Sequence, residues 1–179
     1  MKPSFYIPIV TLVLLTIPGC LIVRTTEHRI KFTGDGSGEA MIRLIDIRSD
    51  GKNEDEIAND FNSLMEVYNA KGLSEFENEA RTVTSKQLIV RGDSLIAEIR
   101  YTFSSLEGLE GFRSHKDEIF VAVAPRNEVV KSNGSVESYE KNRVRIRWDR
   151  SDKKLMYQIT EKDFPSSVSL ARRFLRTTQ

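Results

Sequence analysis

The sequence predicts an α+β domain: an antiparallel sheet of hairpins, with one long amphipathic helix and a short C-terminal helix packed on one face. Three observations carry that prediction. Alternating apolar and polar residues recur in strand-length runs, and the runs come in pairs joined by short turns, a connection open only to antiparallel neighbours. One stretch, Asn53–Ala70, instead repeats its apolar residues at helical spacing. A second, shorter helical pattern follows Pro165. Helices gathered on one side of a hairpin-built sheet define the class.

The first hairpin is Thr25–Phe32 and Glu39–Arg48. His28, Ile30 and Phe32 fall on one face, Arg29 and Lys31 on the other. The glycine-rich stretch between them leads into a strand and carries no Lys, so it is a turn and not a phosphate-binding loop. Asp46–Gly51 begins like a calcium loop, with Asp at positions one and five and Gly at six. Arg48 occupies position three, and Ile57 stands where a bidentate Glu is required, so the segment reads as a strand-to-helix connection.

The Asn53–Ala70 helix starts at an N-capping Asn53 with Glu56 three residues on, a capping-box variant. Ile57, Phe61, Leu64, Met65 and Tyr68 form one stripe, expected to supply much of the core. Glu54, Asp55 and Glu56 complement the helix dipole, and Gly72 is a stop. The second hairpin, Thr82–Val90 and Leu95–Phe103, turns at Arg91-Gly92-Asp93-Ser94. Its second strand alternates Leu95, Ala97, Ile99, Tyr101 and Phe103 with polar residues. Ser104–Phe112 reads as loop. Glu118–Ala124, apolar on both faces, reads as a central strand covered on both sides. Pro125–Asn142 reads as irregular, with a tight-turn signal at Asn133-Gly134. The last hairpin sets Val144, Ile146 and Trp148 of Arg143–Trp148 against Leu155, Tyr157 and Ile159 of Lys154–Thr160. A helix over Ser166–Arg176 then turns Val168, Ala171 and Leu175 to the sheet.

The 179 residues carry 27 Lys+Arg against 26 Asp+Glu, a net charge of +1 that offers a nucleic acid no global attraction. One Cys excludes an internal disulfide and a multi-thiolate metal site. Lys2 followed by the uncharged apolar run Ile7–Ile17 is too short to span a bilayer stably and has the length of a signal-peptide core.

The sole Cys follows in Ile17-Pro18-Gly19-Cys20. Residues 1–20 thus resemble a bacterial lipoprotein signal peptide with its lipobox, matched at Ile17, Gly19 and Cys20. The resemblance implies cleavage after Gly19 and a diacylglyceryl thioether plus an N-acyl chain on Cys20. Several acyl chains anchor stably where one does not. Leu21, in place of the Asp that retains many lipoproteins at the inner membrane, implies the outer membrane. The expected organisation is a signal peptide at 1–19, a lipidated Cys and very short tether at 20–24, and one α+β domain at 25–179. A strand running into the turn at Asp35-Gly36 soon after the Cys loosely resembles the LppM-like domain of envelope lipoproteins.

No sequence pattern nominates a catalytic, cofactor-binding or metal-binding residue. Neither GxSxG nor HExxH occurs, and His28 and His115 lack recognisable local partners. Ser85 and Lys86 point to opposite faces of a strand, the wrong geometry for a dyad. Arg143, Arg145 and Arg147 alternate along one strand and so share one face, a candidate surface for an anion or an envelope partner. Cross-strand pairing with carboxylates such as Glu98 or Glu118 is the competing reading. The expected function is a non-enzymatic, lipid-anchored envelope protein that binds or supports another component, with the membrane as partner through Cys20. A carrier or sensor of an apolar or anionic ligand is the alternative, marked by an apolar cavity. A hydrolase would instead show converging carboxylates of raised pKa.

Overall fold

The computed structural model describes residues 21–34, 36–73, 76–140 and 143–177. The lipobox, Cys20 included, and Asp35 lie outside the described residues. The domain is dominated by antiparallel strands, arranged in two sheets where the sequence pattern suggested one. Strands β1 (Leu21–Phe32) and β2 (Gly38–Ser49) form the first hairpin. Helix α1 (Glu54–Asn69) follows, then β3 (Arg81–Arg91) and β4 (Ser94–Phe103). A 3-10 turn at Leu106–Gly108 leads to β5 (Phe112–His115), β6 (Glu118–Val123), β7 (Asn127–Ser132), β8 (Ser135–Glu140), β9 (Arg143–Asp149) and β10 (Lys154–Glu161). The chain closes with the short β11 (Val168–Ser169) and α2 (Ala171–Thr177).

The larger sheet has the order β3-β4-β2-β1-β10-β7, with β11 paired to the end of β2. The smaller has the order β5-β6-β9-β8. Among the described residues the chain crosses between the sheets four times, after β4, β6, β7 and β9. The third crossing falls at Asn133-Gly134, inside the stretch expected to be irregular. The last corrects the expected hairpin of Arg143–Trp148 with Lys154–Thr160, since β9 pairs with β6 and β8 while β10 pairs with β1 and β7. Polar alternation hides β7 and β8 because each is an edge strand, where one face and one edge meet water. Asn133 fixes the third crossing. Its Oδ1 accepts from Trp148 Nε1 and from the Met156 amide, both at 2.8 Å, and its Nδ2 donates to the Lys154 carbonyl. A Cβ on Gly134 would stand 2.5 Å from Trp148 Nε1, so the indole packs where only glycine leaves room.

The two sheets pack inner face to inner face. Ile30, Ile42, Tyr101, Phe103, Leu155 and Tyr157 of the larger sheet meet Phe112, Ile119, Val121, Ile146 and Trp148 of the smaller. A second cluster covers the rest of the larger sheet: Ile57 and Phe61 of α1 and Ala171 of α2, on Ile47 and Leu95. Helix α1 begins as expected, with the Glu56 amide donating to Asn53 Oδ1 at 3.0 Å. The expectation of a long amphipathic helix buried along its stripe is corrected. Burial ends with Phe61, and Leu64, Met65 and Tyr68 are only half-buried. The helix C-terminus has no cation of its own. Lys86 of β3 supplies one, its Nζ reaching the Val67, Ala70 and Gly72 carbonyls.

Further differences follow from pairing. β1 begins at Leu21, so the residues expected as a tether belong to the sheet. Ladder partners of β1 and β2 match on either side of Arg24 and Asp46, but those two residues do not pair, and Asp46 adopts φ 63°. Side-chain alternation shifts there. Leu21, Val23 and Ile47 join Leu44 on the inner face, although simple alternation sends them outward. Strand β6 buries Ile119, Val121 and Val123, while Phe120 and Ala122 are half-buried on an outer face bearing charged side chains instead of a covering layer. Near the C-terminus Leu170 and Ala171 are the buried anchors, and Val168 and Leu175 are exposed. β11 uses up the residues expected to start the helix.

Candidate functional site

Sheet and helix cover different parts of one inner face, and between the covers lie two adjoining clefts of about 350 and 370 Å³. Both are walled by Leu21, Val23, Ile42, Arg81 and Glu110. The second runs beneath the half-buried part of α1, between Leu64, Val67 and Tyr68 on the helix and Leu44, Leu88, Ala97 and Ile99 on the sheet. Its wall is largely apolar. A single helix over a wide twisted sheet cannot fill the space that a second sheet fills, which is why the stripe of α1 stops burying itself there.

The first cleft opens between the sheets; besides apolar residues it is lined by His28, Tyr101 and Tyr157 and, with Arg81 and Glu110, by Arg24, Arg126 and Glu161. Strand register brings them together. His28 of β1 stands opposite Tyr157 of β10, and their rings stack at 4.5 Å with planes 5° apart. Tyr101 of β4 lies across β2 from them, opposite Ala40. Burial drives the His28 pKa down to about 4, so the imidazole is neutral near pH 7. Burial also raises Tyr101 to about 12, with Arg81 opposing and Glu110 reinforcing the rise. Tyr157 is pushed up by burial, and by Tyr101 and Glu110 in addition. Both phenols therefore keep their protons and remain hydrogen-bond donors.

Arg81, at the start of β3, sits where the clefts meet. Its residue is 7% exposed, and its guanidinium carbon lies 3.8 Å from the Phe76 ring centroid. Nε donates to the Phe76 carbonyl, and Nη1 stands 3.7 Å from Glu110 Oε2, longer than a hydrogen bond. Among the described residues no group of three or more His, Cys, Asp or Glu side chains is placed to hold a metal ion.

The arginines singled out in the sequence lie elsewhere, on the outer face of the smaller sheet. Arg145 Nη2 is 3.1 Å and Arg147 Nη2 2.7 Å from Glu137 of β8, and Arg147 also pairs with Glu118 of β6. Arg143 stands opposite Glu140 in the same ladder. Hydrogen bonds from Arg145 and then Arg147 hold the Glu137 carboxyl below its usual range. Arg147 is raised in turn, mainly by Glu118. Glu98, the other carboxylate considered as a partner, belongs to the outer face of the larger sheet. There Arg100, Glu98, Arg43, Glu27 and Arg29 form a second ladder. Burial alone would raise Glu98, but hydrogen bonds from Arg43 and Arg100 outweigh it and hold the carboxyl down.

Sequence reasoning placed His28 with Ile30 and Phe32 on one face of β1, and Tyr101 and Tyr157 among the alternating residues of their strands, without assigning any of them to a site. Polar atoms carried inward by apolar strands were the available signal. Arg81 and Glu110 fell outside or at the edge of recognised elements and gave none. Fold and site together define a two-sheet α+β domain with an interior cleft, apolar along one arm and polar at one end. No family model matches the chain, and neither a curated protein nor a solved structure matches it.

Proposed function

We propose that this chain is a lipid-anchored cell-envelope protein of the outer membrane, without catalytic activity, that holds a small ligand with an apolar body in the cleft beneath α1. The cleft is the observation that carries the reading. About 370 Å³ of mostly apolar space beside a protonated tyrosine pair and a buried arginine suits a ligand pocket, where apolar walls and a few polar groups are the rule. Leu21 lines both arms and immediately follows Cys20 in the chain. An acyl anchor on Cys20 would therefore hold the cleft beside the bilayer, where an apolar ligand resides. Carrier or sensor is thus favoured over a purely structural module. The outer arginine ladder, closed on its own glutamates, then serves as a stiffener of the smaller sheet.

The test is to purify the full chain from membranes in a mild detergent, extract it with organic solvent, and weigh both fractions by mass spectrometry. The expected result is a protein beginning at a diacylglyceryl-modified Cys20 and one co-purifying amphiphile per chain. A protein without an adduct on Cys20 removes the anchor from the proposal. A protein that neither carries an amphiphile nor takes up an apolar fluorescent dye removes the carrier.

A further inference from the structure

We propose that Arg81 receives the anionic head of a single-chain amphiphile whose tail occupies the apolar arm of the cleft, and that Glu110 is the counter-ion this head displaces. The proposal rests on the carrier reading and names its ligand class. A guanidinium has five N–H donors in a planar fork that fits a carboxylate or phosphate with two parallel bonds. In Arg81 one donor is used, by the Phe76 carbonyl, and the terminal nitrogens make no hydrogen bond among the described residues. A buried charge so loosely matched is costly unless a closer partner arrives. Glu110 is not that partner. It stops at 3.7 Å, and its side chain is 39% exposed, free to swing outward.

Glu107 and Glu110 also border the cleft, and Arg81 is the cation placed to receive a negative group where its two arms meet. The guanidinium is fixed from below by the Phe76 ring, and the Tyr101 ring centroid is 5.8 Å away. Tyr101 and Tyr157 line the same arm with hydroxyls that have no protein hydrogen-bond partner among the described residues, while both side chains are more than nine-tenths buried. On the other side of Arg81 the apolar arm begins. The arm, about 370 Å³ and largely apolar, is of a size to receive an acyl chain. Lys86, the other cation bordering this arm, is already taken by three helix carbonyls.

The test uses the full chain in non-ionic detergent, titrated with dodecanoate and with dodecanol, with occupancy read by native mass spectrometry. Dodecanoate is expected to bind at least tenfold more tightly than dodecanol. Arg81→Gln should remove that preference and leave dodecanol within twofold. Glu110→Gln should tighten dodecanoate several-fold, because no counter-ion must leave, without changing dodecanol. The second variant is decisive if Arg81→Gln fails to fold, since Glu110 is at the surface. If both probes bind equally and Glu110→Gln leaves their ratio unchanged, the head-group assignment is wrong while the cleft remains a carrier site. If neither probe binds, the carrier reading falls and the assignment with it.

Discussion

Over one half of its inner face the seven-stranded sheet is covered by another sheet; over the other half it is covered by α1. Under the smaller sheet the space is filled by rings. Phe112 stacks on Trp148 at 5.9 Å, and both lie about 6.0 Å from Tyr157. Under α1 the packing holds at Ile57 and Phe61 and then gives way to the cleft at Leu64, Val67 and Tyr68. Two sheets of matching twist bring rows of side chains into register over a wide area, whereas a helix offers one stripe. The same sheet face thus meets an aromatic cluster with a partly polar cleft beside it under one cover, and a largely apolar cleft under the other.

Substitutions measure that difference directly. Trp148→Ala should have the largest effect, about 3–5 kcal/mol of unfolding free energy by denaturant titration. It empties the aromatic cluster with Phe112 and Tyr157 and takes the indole N–H from Asn133. A loss under 1 kcal/mol would mean that the inter-sheet core is not the stabilising half. Along α1, Phe61→Ala should cost about 3 kcal/mol and Leu64→Ala, one turn further and facing the cleft, less than about 1 kcal/mol. Equal losses would show that the helix packs evenly and the cleft closes in solution.

His28 sharpens the comparison through pH. Its folded pKa, about 4, lies below the ordinary 6.5 because burial disfavours the cation. The unfolded chain therefore binds a proton between those values while the folded chain does not. Stability from this group is complete above pH 6.5 and is lost as pH falls toward 4, by at most about 3 kcal/mol. His28→Gln should flatten that part of the stability profile; an unchanged slope would place the acid sensitivity elsewhere. The smallest effect is expected from Glu137→Gln on the outer ladder. Its carboxyl is held low by Arg145 and Arg147, so its contribution is present above the usual carboxylate range and lost as pH falls through the lowered value. Because the ladder is solvent-exposed, the change in denaturation midpoint should vanish at 1 M salt. A change that persists there would show the arginines acting in more than a screened surface network.

The legible parts of the molecule are those whose signal is local. The turn at Gly92, with φ 61°, is marked by the Arg91-Gly92-Asp93-Ser94 run, and the cap at Asn53 by Glu56 three residues on. The alternation of Leu95 to Phe103 identified an inward face correctly, down to Tyr101. The site was much less legible. Arg143, Arg145 and Arg147 drew attention because they repeat within one strand. Arg81 did not, since its significance lies in Glu110 and Phe76 being near it, and no periodicity encodes nearness between segments.

Periodicity, caps and turn residues are properties of neighbours along the chain. They sufficed to determine antiparallel strands, the hairpins β1–β2 and β3–β4, a helix starting at Glu54 and another near the C-terminus, but not the partners of β9 and β10. Which hairpin pairs with which is a matter of non-local register and of how much apolar surface each arrangement covers. Only the tertiary structure decided that the strands divide into two sheets, with β9 and β10 parted between them, and that the ladder skips at Arg24 and Asp46 and turns Leu21 and Val23 inward. It alone decided that α1 leaves part of its stripe over a cleft with Arg81 at the junction. A local backbone irregularity such as that at Asp46 reverses which side chains face the core without changing the pairing register, and it leaves no mark in the alternation of either strand.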